Sequence, residues 1–276
     1  MKLTLGFSPC PNDTFIFDAM VNGHIDTNGI TFDYVMEDVE TLNIWAEQGK
    51  LDITKLSYNT FIHIADQYSL LHSGSALGVG VGPLLIAKQP MDLGRMADYK
   101  IAIPGKKTTA NLLLSLAFPN AQNKTEVVFS DIEERVLSGE FDAGLVIHES
   151  RFTYAKRGLH KLMDMGDWWE QTTHAAIPLG GIVIRRSIDR AVAATVDNIM
   201  KESLAWSWKR YPELTPFITG NAQEMEEDVM RKHIQLYVND YTTDLGETGR
   251  KAITTLFDKA KAGGLLKNEL PDSIFY

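Results

Sequence analysis

Short apolar runs alternate with polar turns and then with helical periodicity through the first half of the chain. Residues 3–7 read as a strand, residues 8–14 as a turn and residues 15–21 as a helix ended by Gly23. Asn12, Asp13 and Thr14 all have side chains suited to cap that helix. Residues 51–56 form a second strand, followed by Ser57-Tyr58-Asn59-Thr60 and a helix over 61–66. Residues 100–103 form a third, followed by Pro104-Gly105-Lys106-Lys107-Thr108-Thr109 and a helix to about residue 118. Residues 143–147 form a fourth, which runs into His148-Glu149-Ser150. Strand, turn and helix in repetition argue for an α/β protein with mainly parallel pairing.

Other elements lie between these units. Residues 31–36 alternate as a strand does, and Asp38 caps a helix whose Val39, Leu42, Trp45 and Ala46 share one face before Gly49 stops it. Residues 127–129 read as a strand, with Asp131 capping a helix to Leu137 that Gly139 ends. The last ninety residues are mostly helical, with one stripe from Val192, Val196, Ile199, Ser203 and Trp206 and another from Ile253, Leu256, Phe257 and Ala260. Two strands, 83–88 and 181–185, each follow a glycine-rich stretch and read as crossings between lobes. The expected lobes are therefore residues 1–88 with 187–276, and residues 89–186. A double crossing makes a hinge with a cleft between the lobes, and small ligands favour such clefts. The four polar turns stand at strand C-termini, where open α/β sheets bind ligands, and free helix N–H groups there favour anions. Turns 8–14 and 55–59 are expected to face turns 105–110 and 148–151.

Composition narrows the function. The chain has 276 residues, 44% hydrophobic and 23% charged, which suits a well-cored protein of two lobes. A net charge of −9 disfavours nucleic acid and anionic membrane as partners and leaves small molecules. The longest apolar stretch, residues 75–87, carries three glycines and a proline and falls short of the ~18 residues that span a bilayer. The apolar residues 3–7 are too short for a signal peptide, so the expected location is cytoplasmic, as a monomer or weak homodimer. A single cysteine, Cys10, excludes an internal disulfide and a cysteine-based metal cluster.

Two glycine motifs fail their spacing tests. Gly105-Lys106-Lys107-Thr108 resembles the tail of a nucleotide-binding loop, but Lys100 stands where that loop needs glycine. The turn keeps the physics of a carboxylate or phosphate seat, against the alternative of an ordinary solvated cap. Gly78-Val79-Gly80-Val81-Gly82 is followed by a strand rather than a helix, so it reads as hinge or close-packed backbone, not a dinucleotide fingerprint. His148 ends a buried strand and points toward the cleft, where a neutral imidazole is a natural general base; the alternative is a histidine bonded to a backbone carbonyl. His233 shares a helix face with Val229 and Leu236 and is expected to be packed. The remaining histidines have no partner at ligand spacing, so no metal is expected. Cys10, between two prolines, reads as a small buried residue in a rigid turn, with no histidine placed by sequence to activate it. Ser8 and Ser57 offer hydroxyls at equivalent turns, where plain capping is the alternative.

The block Ser8-Pro9-Cys10-Pro11-Asn12-Asp13-Thr14-Phe15 resembles the opening motif of the 1,4-dihydroxy-6-naphthoate synthase family of menaquinone biosynthesis. Residues 37–43, 54–58, 80–84, 147–154 and 237–239 are similar to the family in the same order, so the resemblance covers nearly the whole chain. It implies a type II periplasmic-binding-protein-like fold. It also implies conversion of cyclic dehypoxanthine futalosine to 1,4-dihydroxy-6-naphthoate, a carbon–carbon lyase step in the futalosine route that needs no metal or redox cofactor. The family's proton-accepting histidine carries over to His148. Its substrate contacts carry over to Lys55, Leu56 and Ser57 and to Thr108, Thr109 and Ala110, and the facing turns add Ser8, Asn12 and Arg151. Relatives with Arg-His in place of Lys106-Lys107 leave the role of those lysines open. Two other readings of the same fold stay in view: a transporter's solute-binding protein, which would need an export signal, and a related chorismate dehydratase. The Pro-Cys-Pro-Asn-Asp block and His148 favour the naphthoate enzyme.

Overall fold

A computed structural model describes residues 1–148, 150–222, 226–266 and 269–276. Glu149, in the turn expected after the fourth strand, lies outside the described residues. The strands are β1 (Lys2–Phe7), β2 (Thr31–Met36), β3 (Ile53–Ser57), β4 (Tyr68–Leu70), β5 (Ala76–Gly78), β6 (Leu84–Ala87), β7 (Ile101–Ile103), β8 (Lys124–Glu126), β9 (Ala143–Val146), β10 (His160–Asp164) and β11 (Ile177–Arg185). They form two sheets. The first has the order β2-β1-β3-β11-β4, with β5 also paired to β11, and the second has the order β10-β6-β9-β7-β8. Two α/β lobes joined by a double crossing result.

The parallel core expected from the strand–turn–helix units is present: β1 pairs parallel with β2 and β3, and β7 with β8 and β9. Both sheets are nevertheless mixed, because β6 and β11 run antiparallel to their neighbours. Each of these strands arrives from the other lobe and enters its sheet against the direction of the parallel units. Their pairing also moves the crossings. Residues 84–87, expected at the end of the first lobe, belong to the second sheet, and residues 177–185, expected in the second lobe, belong to the first. The chain thus crosses at residues 79–83 and returns between Asp164 and Ile177. A further correction concerns residues 127–129. The edge strand is β8, and Phe129–Asp131 is a 3-10 turn in which Asp131 makes no side-chain cap.

Helices α1 (Pro11–Val21), α2 (Val39–Glu47), α3 (Tyr58–Ile64), α4 (Thr109–Ala117) and α5 (Ile132–Leu137) follow their strands as expected. Then come α6 (Ser150–Thr153), α7 (Met165–Thr173), α8 (Arg190–Arg210), α9 (Pro216–Asn221), α10 (Glu227–Tyr237), α11 (Asp240–Thr243) and α12 (Gly246–Ala262). Helix α1 begins earlier than its polar residues imply. Pro11 opens it, Cys10 occupies the cap position but its side chain does not cap the helix N–H groups, and Asn12, Asp13 and Thr14 lie inside the first turn. Asp38 does cap α2, accepting from the N–H groups of Glu40 and Thr41. The α8 stripe packs on α1, and its polar member is explained there. Ser203 and its neighbour one turn on, Ser207, donate to the carbonyls of Ile16 and Phe15 at 2.6 and 2.8 Å. Trp206 leaves the stripe and stacks on His24 at 4.6 Å. Under β1, Phe7 stacks on Phe17 at 4.5 Å and on Tyr34 at 5.6 Å.

The first crossing is held by close backbone packing. A Cβ on Gly82 would lie 2.7 Å from the Gly166 nitrogen, and one on Gly166 would overlap the Val81 carbonyl. Backbone on both sides cannot swing away as a side chain can. Gly166→Ala is therefore expected to cost about 1–3 kcal/mol in urea unfolding. Gly220→Ala, in α9 with nothing within 4 Å of its Cβ, should be neutral or stabilising by up to ~1 kcal/mol. Equal stability of the two variants would remove this constraint.

Candidate active site

Between the lobes lies a cavity. The first lobe contributes Ser8, Asn12, Lys55, Leu56 and Ser57 to its walls, and the second contributes Thr108, Thr109, Ala110 and His148. Nine of the ten sequence-predicted site residues thus meet in one place. The tenth does not. Arg151 donates to the carbonyls of Gly82 and Gly80 at 2.8 and 2.9 Å and pairs with Asp164 at 2.7 Å. Its guanidinium is spent holding the glycine-rich crossing, which is why it does not face the cavity.

The floor is built around Asp13. Its carboxylate accepts from the Ser8 N–H and hydroxyl, from Asn12 Nδ2 at 2.8 Å and from Lys55 Nζ at 2.5 Å. Asp13 is 1% exposed and Lys55 7%, so this is a buried ion pair that joins the turn before α1 to β3. Asn12 Oδ1, turned away from that network, has no protein partner among the described residues. Ser57 stands at the start of α3; its N–H donates to Asn43 Oδ1 and its hydroxyl oxygen accepts from Asn43 Nδ2.

The turn before α4 presents less side-chain chemistry than its sequence implies. The Thr108 hydroxyl donates to Gly105 O and caps Asn111 N, while the Thr109 hydroxyl donates to Leu179 O in β11. What the turn offers the cavity is the start of α4, where the first N–H groups of a helix have no intrahelical acceptor. Neither lysine lines the cavity. Lys106 pairs with Glu126 and Lys107 with Glu47 of α2.

His148 follows β9 with a left-handed backbone (φ 55°), which turns its ring from the strand into the cleft. Its Nδ1 lies 3.3 Å from the Sγ of Cys10, on the opposite lobe, and its ring packs against Phe129 at 5.0 Å. Burial pushes the imidazole down to about 4; Asp13 pulls it upward and Lys55 pushes it further down. It is therefore neutral at neutral pH, more completely than its ordinary value implies. Besides Asp13, two residues on α10 were missed from sequence. His233 and Tyr237, one turn apart on α10, also line the cavity. His233 is 1% exposed, its ring lies 6.2 Å from that of His148, and neither ring nitrogen has a protein partner among the described residues. The expectation that it is merely packed is corrected: it is buried, but against the cavity. A buried polar group without a partner costs about 1–3 kcal/mol. The signal available was the His233–Tyr237 spacing of four, which puts both rings on one helix face. Among the described residues no cluster of three or more histidine, cysteine or acidic side chains could hold a metal ion.

The comparisons with known proteins fit this geometry. The chain shares its architecture with the alkanesulfonate-binding protein of Xanthomonas axonopodis pv. citri, with a TM-score of 0.71 at 13% identity over 100% of this chain and 98% of that one. The class is thus a two-lobed protein of periplasmic-binding-protein-like fold. A model of the family described as "Menaquinone biosynthesis" matches residues 3–262. The chain is 43% identical to the 1,4-dihydroxy-6-naphthoate synthase of Thermus thermophilus, over 95% of each chain. It is 40% identical to that of Streptomyces coelicolor, over 99% of this chain and 98% of the other. A solved structure from Archaeoglobus fulgidus superposes with a TM-score of 0.91 at 34% identity, covering 96% of this chain and 98% of that one. The chain belongs to the menaquinone-biosynthesis family that contains the 1,4-dihydroxy-6-naphthoate synthases.

Two expectations follow for the site. Asp13→Asn removes one member of a buried ion pair and should cost about 3–5 kcal/mol in urea unfolding, with part recovered when Lys55→Met is added; a single variant as stable as the wild type would contradict the pairing. The second concerns pH. The unfolded chain protonates His148 near pH ~6.5, whereas the folded chain holds it neutral down to about 4. Stability from this group is complete above ~6.5 and falls with pH, by roughly 2–3 kcal/mol at pH ~4.5. His148→Gln should show a smaller loss between pH 7 and 4.5, and equal losses would refute the linkage.

Proposed function

We propose that this chain is a 1,4-dihydroxy-6-naphthoate synthase, a carbon–carbon lyase that acts on cyclic dehypoxanthine futalosine with His148 as general base. The observation that carries the reading is a neutral imidazole in the wall of a cleft between two lobes, held by a thiol from the opposite lobe. In the tautomer that carries its proton on Nδ1, toward Cys10 Sγ, Nε2 keeps its lone pair for a substrate proton. Membership of the family supports the substrate class and the pathway.

The chemistry needs a base and an electron sink. His148 takes the proton of a hydroxyl on the sugar-derived fragment. The O–H pair forms that fragment's new carbonyl as the adjacent carbon–carbon bond breaks. The released pair enters the ring system, which becomes aromatic as a ring carbonyl turns into one of the product's two hydroxyls. The N–H groups at the start of α4, with Lys55 and Ser57, are suited to hold the substrate carboxylate. Lobe closure excludes water from the cleavage. The substrate is small and anionic, and the residues' roles require no metal or redox cofactor.

The test is incubation of the purified chain with cyclic dehypoxanthine futalosine and mass-spectrometric detection of 1,4-dihydroxy-6-naphthoate. Binding without conversion would overturn the reading in favour of a solute carrier, and turnover of chorismate instead would favour the dehydratase. His148→Ala is expected to lose about 10²–10⁴-fold in kcat while still binding substrate. In the wild type, kcat/KM should fall on the acid side only toward pH about 4. Near-normal single-turnover chemistry in folded His148→Ala would end the assignment.

A further inference from the structure

His233 is unexplained by the roles assigned so far. It is 1% exposed, faces the cavity beside Tyr237 at 4.7 Å, and offers two ring nitrogens that no described protein group engages. Its neighbours on α10, Val229, Met230 and Ile234, are buried and apolar. An apolar side chain would fill the position without desolvating two polar atoms. An imidazole there makes sense when a ligand in the cavity supplies the partner. The wall it occupies already holds a second unpaired buried polar atom, Asn12 Oδ1.

The two histidines are complementary. Their ring centres are 6.2 Å apart with planes 20° from parallel, so both are within reach of the reacting edge of one bicyclic substrate. His148 has its Nδ1 against Cys10, whereas His233 has an N–H to give. We propose that His233 is a catalytic residue that donates this N–H to the ring oxygen that receives the electron pair when the carbon–carbon bond breaks. The inference rests on the lyase reading above. The balance is that His148 gains the proton lost by the fragment's hydroxyl and the bonding pair moves into the ring. The ring carbonyl becomes an oxyanion bonded by His233; that oxygen takes a proton from water to become a product hydroxyl, and the His148 imidazolium returns its proton to the hydroxide so formed, which leaves both imidazoles neutral again. Burial keeps both imidazoles neutral in the free protein, which leaves one free to accept a proton and the other to donate a hydrogen bond.

The experiment compares wild type, His233→Phe and His233→Gln for kcat, KM and melting temperature with cyclic dehypoxanthine futalosine. Phenylalanine keeps a ring against Tyr237 and removes both nitrogens; glutamine keeps an N–H donor. The phenylalanine variant should lose about 10²–10³-fold in kcat, the loss typical of one oxyanion donor, with a smaller change in KM and no drop in melting temperature. Glutamine should restore at least about tenfold of that loss. If the larger ring prevents folding, His233→Ala replaces it, with its lost kcat partly restored by added imidazole. A folded nitrogen-free variant with wild-type kcat overturns the inference and leaves the lyase reading intact. So does a kcat loss that glutamine and imidazole both fail to relieve while melting temperature falls. A wild type that turns over no substrate overturns the lyase reading, and this inference with it.

Discussion

The site exists only where the two lobes meet, because the half-buried His148 ring stands between them. The Cys10–His148 contact is made across the cleft, from the turn before α1 to the residue beyond β9. Burial lowers the proton affinity of the ring, and the left-handed backbone at His148 directs it away from the strand that carries it. Beneath it the Asp13–Lys55 ion pair forms the cavity floor, and the Asp13 carboxylate also accepts from Ser8 and Asn12. The cavity thus takes its ion pair from one lobe and the His148 ring from the other.

Contacts around the turn before α4 hold the lobes together, and most of them are to backbone atoms. Asn59 donates to the carbonyls of Lys106 and Thr108, Thr60 donates to that of Lys107, and Thr109 donates to that of Leu179. Glu40 of α2 accepts from the Lys107 N–H. Bonds of this kind depend on the path of the chain more than on the residue type in the turn. The turn can therefore carry two lysines here, with side chains that pair outward to Glu126 and Glu47, without changing the surface that faces the cavity.

The same architecture serves sulfonate-binding proteins, so the fold alone does not separate a carrier from an enzyme. The distinction lies in the cavity wall. Two imidazoles stand side by side there, one beside a thiol and one without a protein partner among the described residues, and the proposed lyase chemistry would use both. A carboxylate or sulfonate carrier needs only donors.

Much of this was legible in the chain itself. Residues 3–7, 31–36 and 143–147 declare their strands by pattern, Asp38 declares a helix start, and the turns after four strands mark where the cavity lies. His148 was legible because a strand of small and apolar residues ends at it. The motif residues Ser8, Asn12, Lys55 to Ser57 and Thr108 to Ala110 were legible as blocks resembling a family. Sequence could not decide where side chains were spent. Arg151 looks like a substrate ligand until the crossing brings the Gly80 and Gly82 carbonyls to it. The Thr108 hydroxyl looks free until Gly105 and Asn111 use it. His233 has the spacing of a core residue, because a helix buries a face against a cavity by the same period as against a core. Its role, the contact of Cys10 with His148 and the pairing of β6 and β11 into opposite sheets all join residues far apart in the chain. Local pattern carries no information about which distant groups meet; that was decided when the chain crossed twice and the two lobes closed on one another.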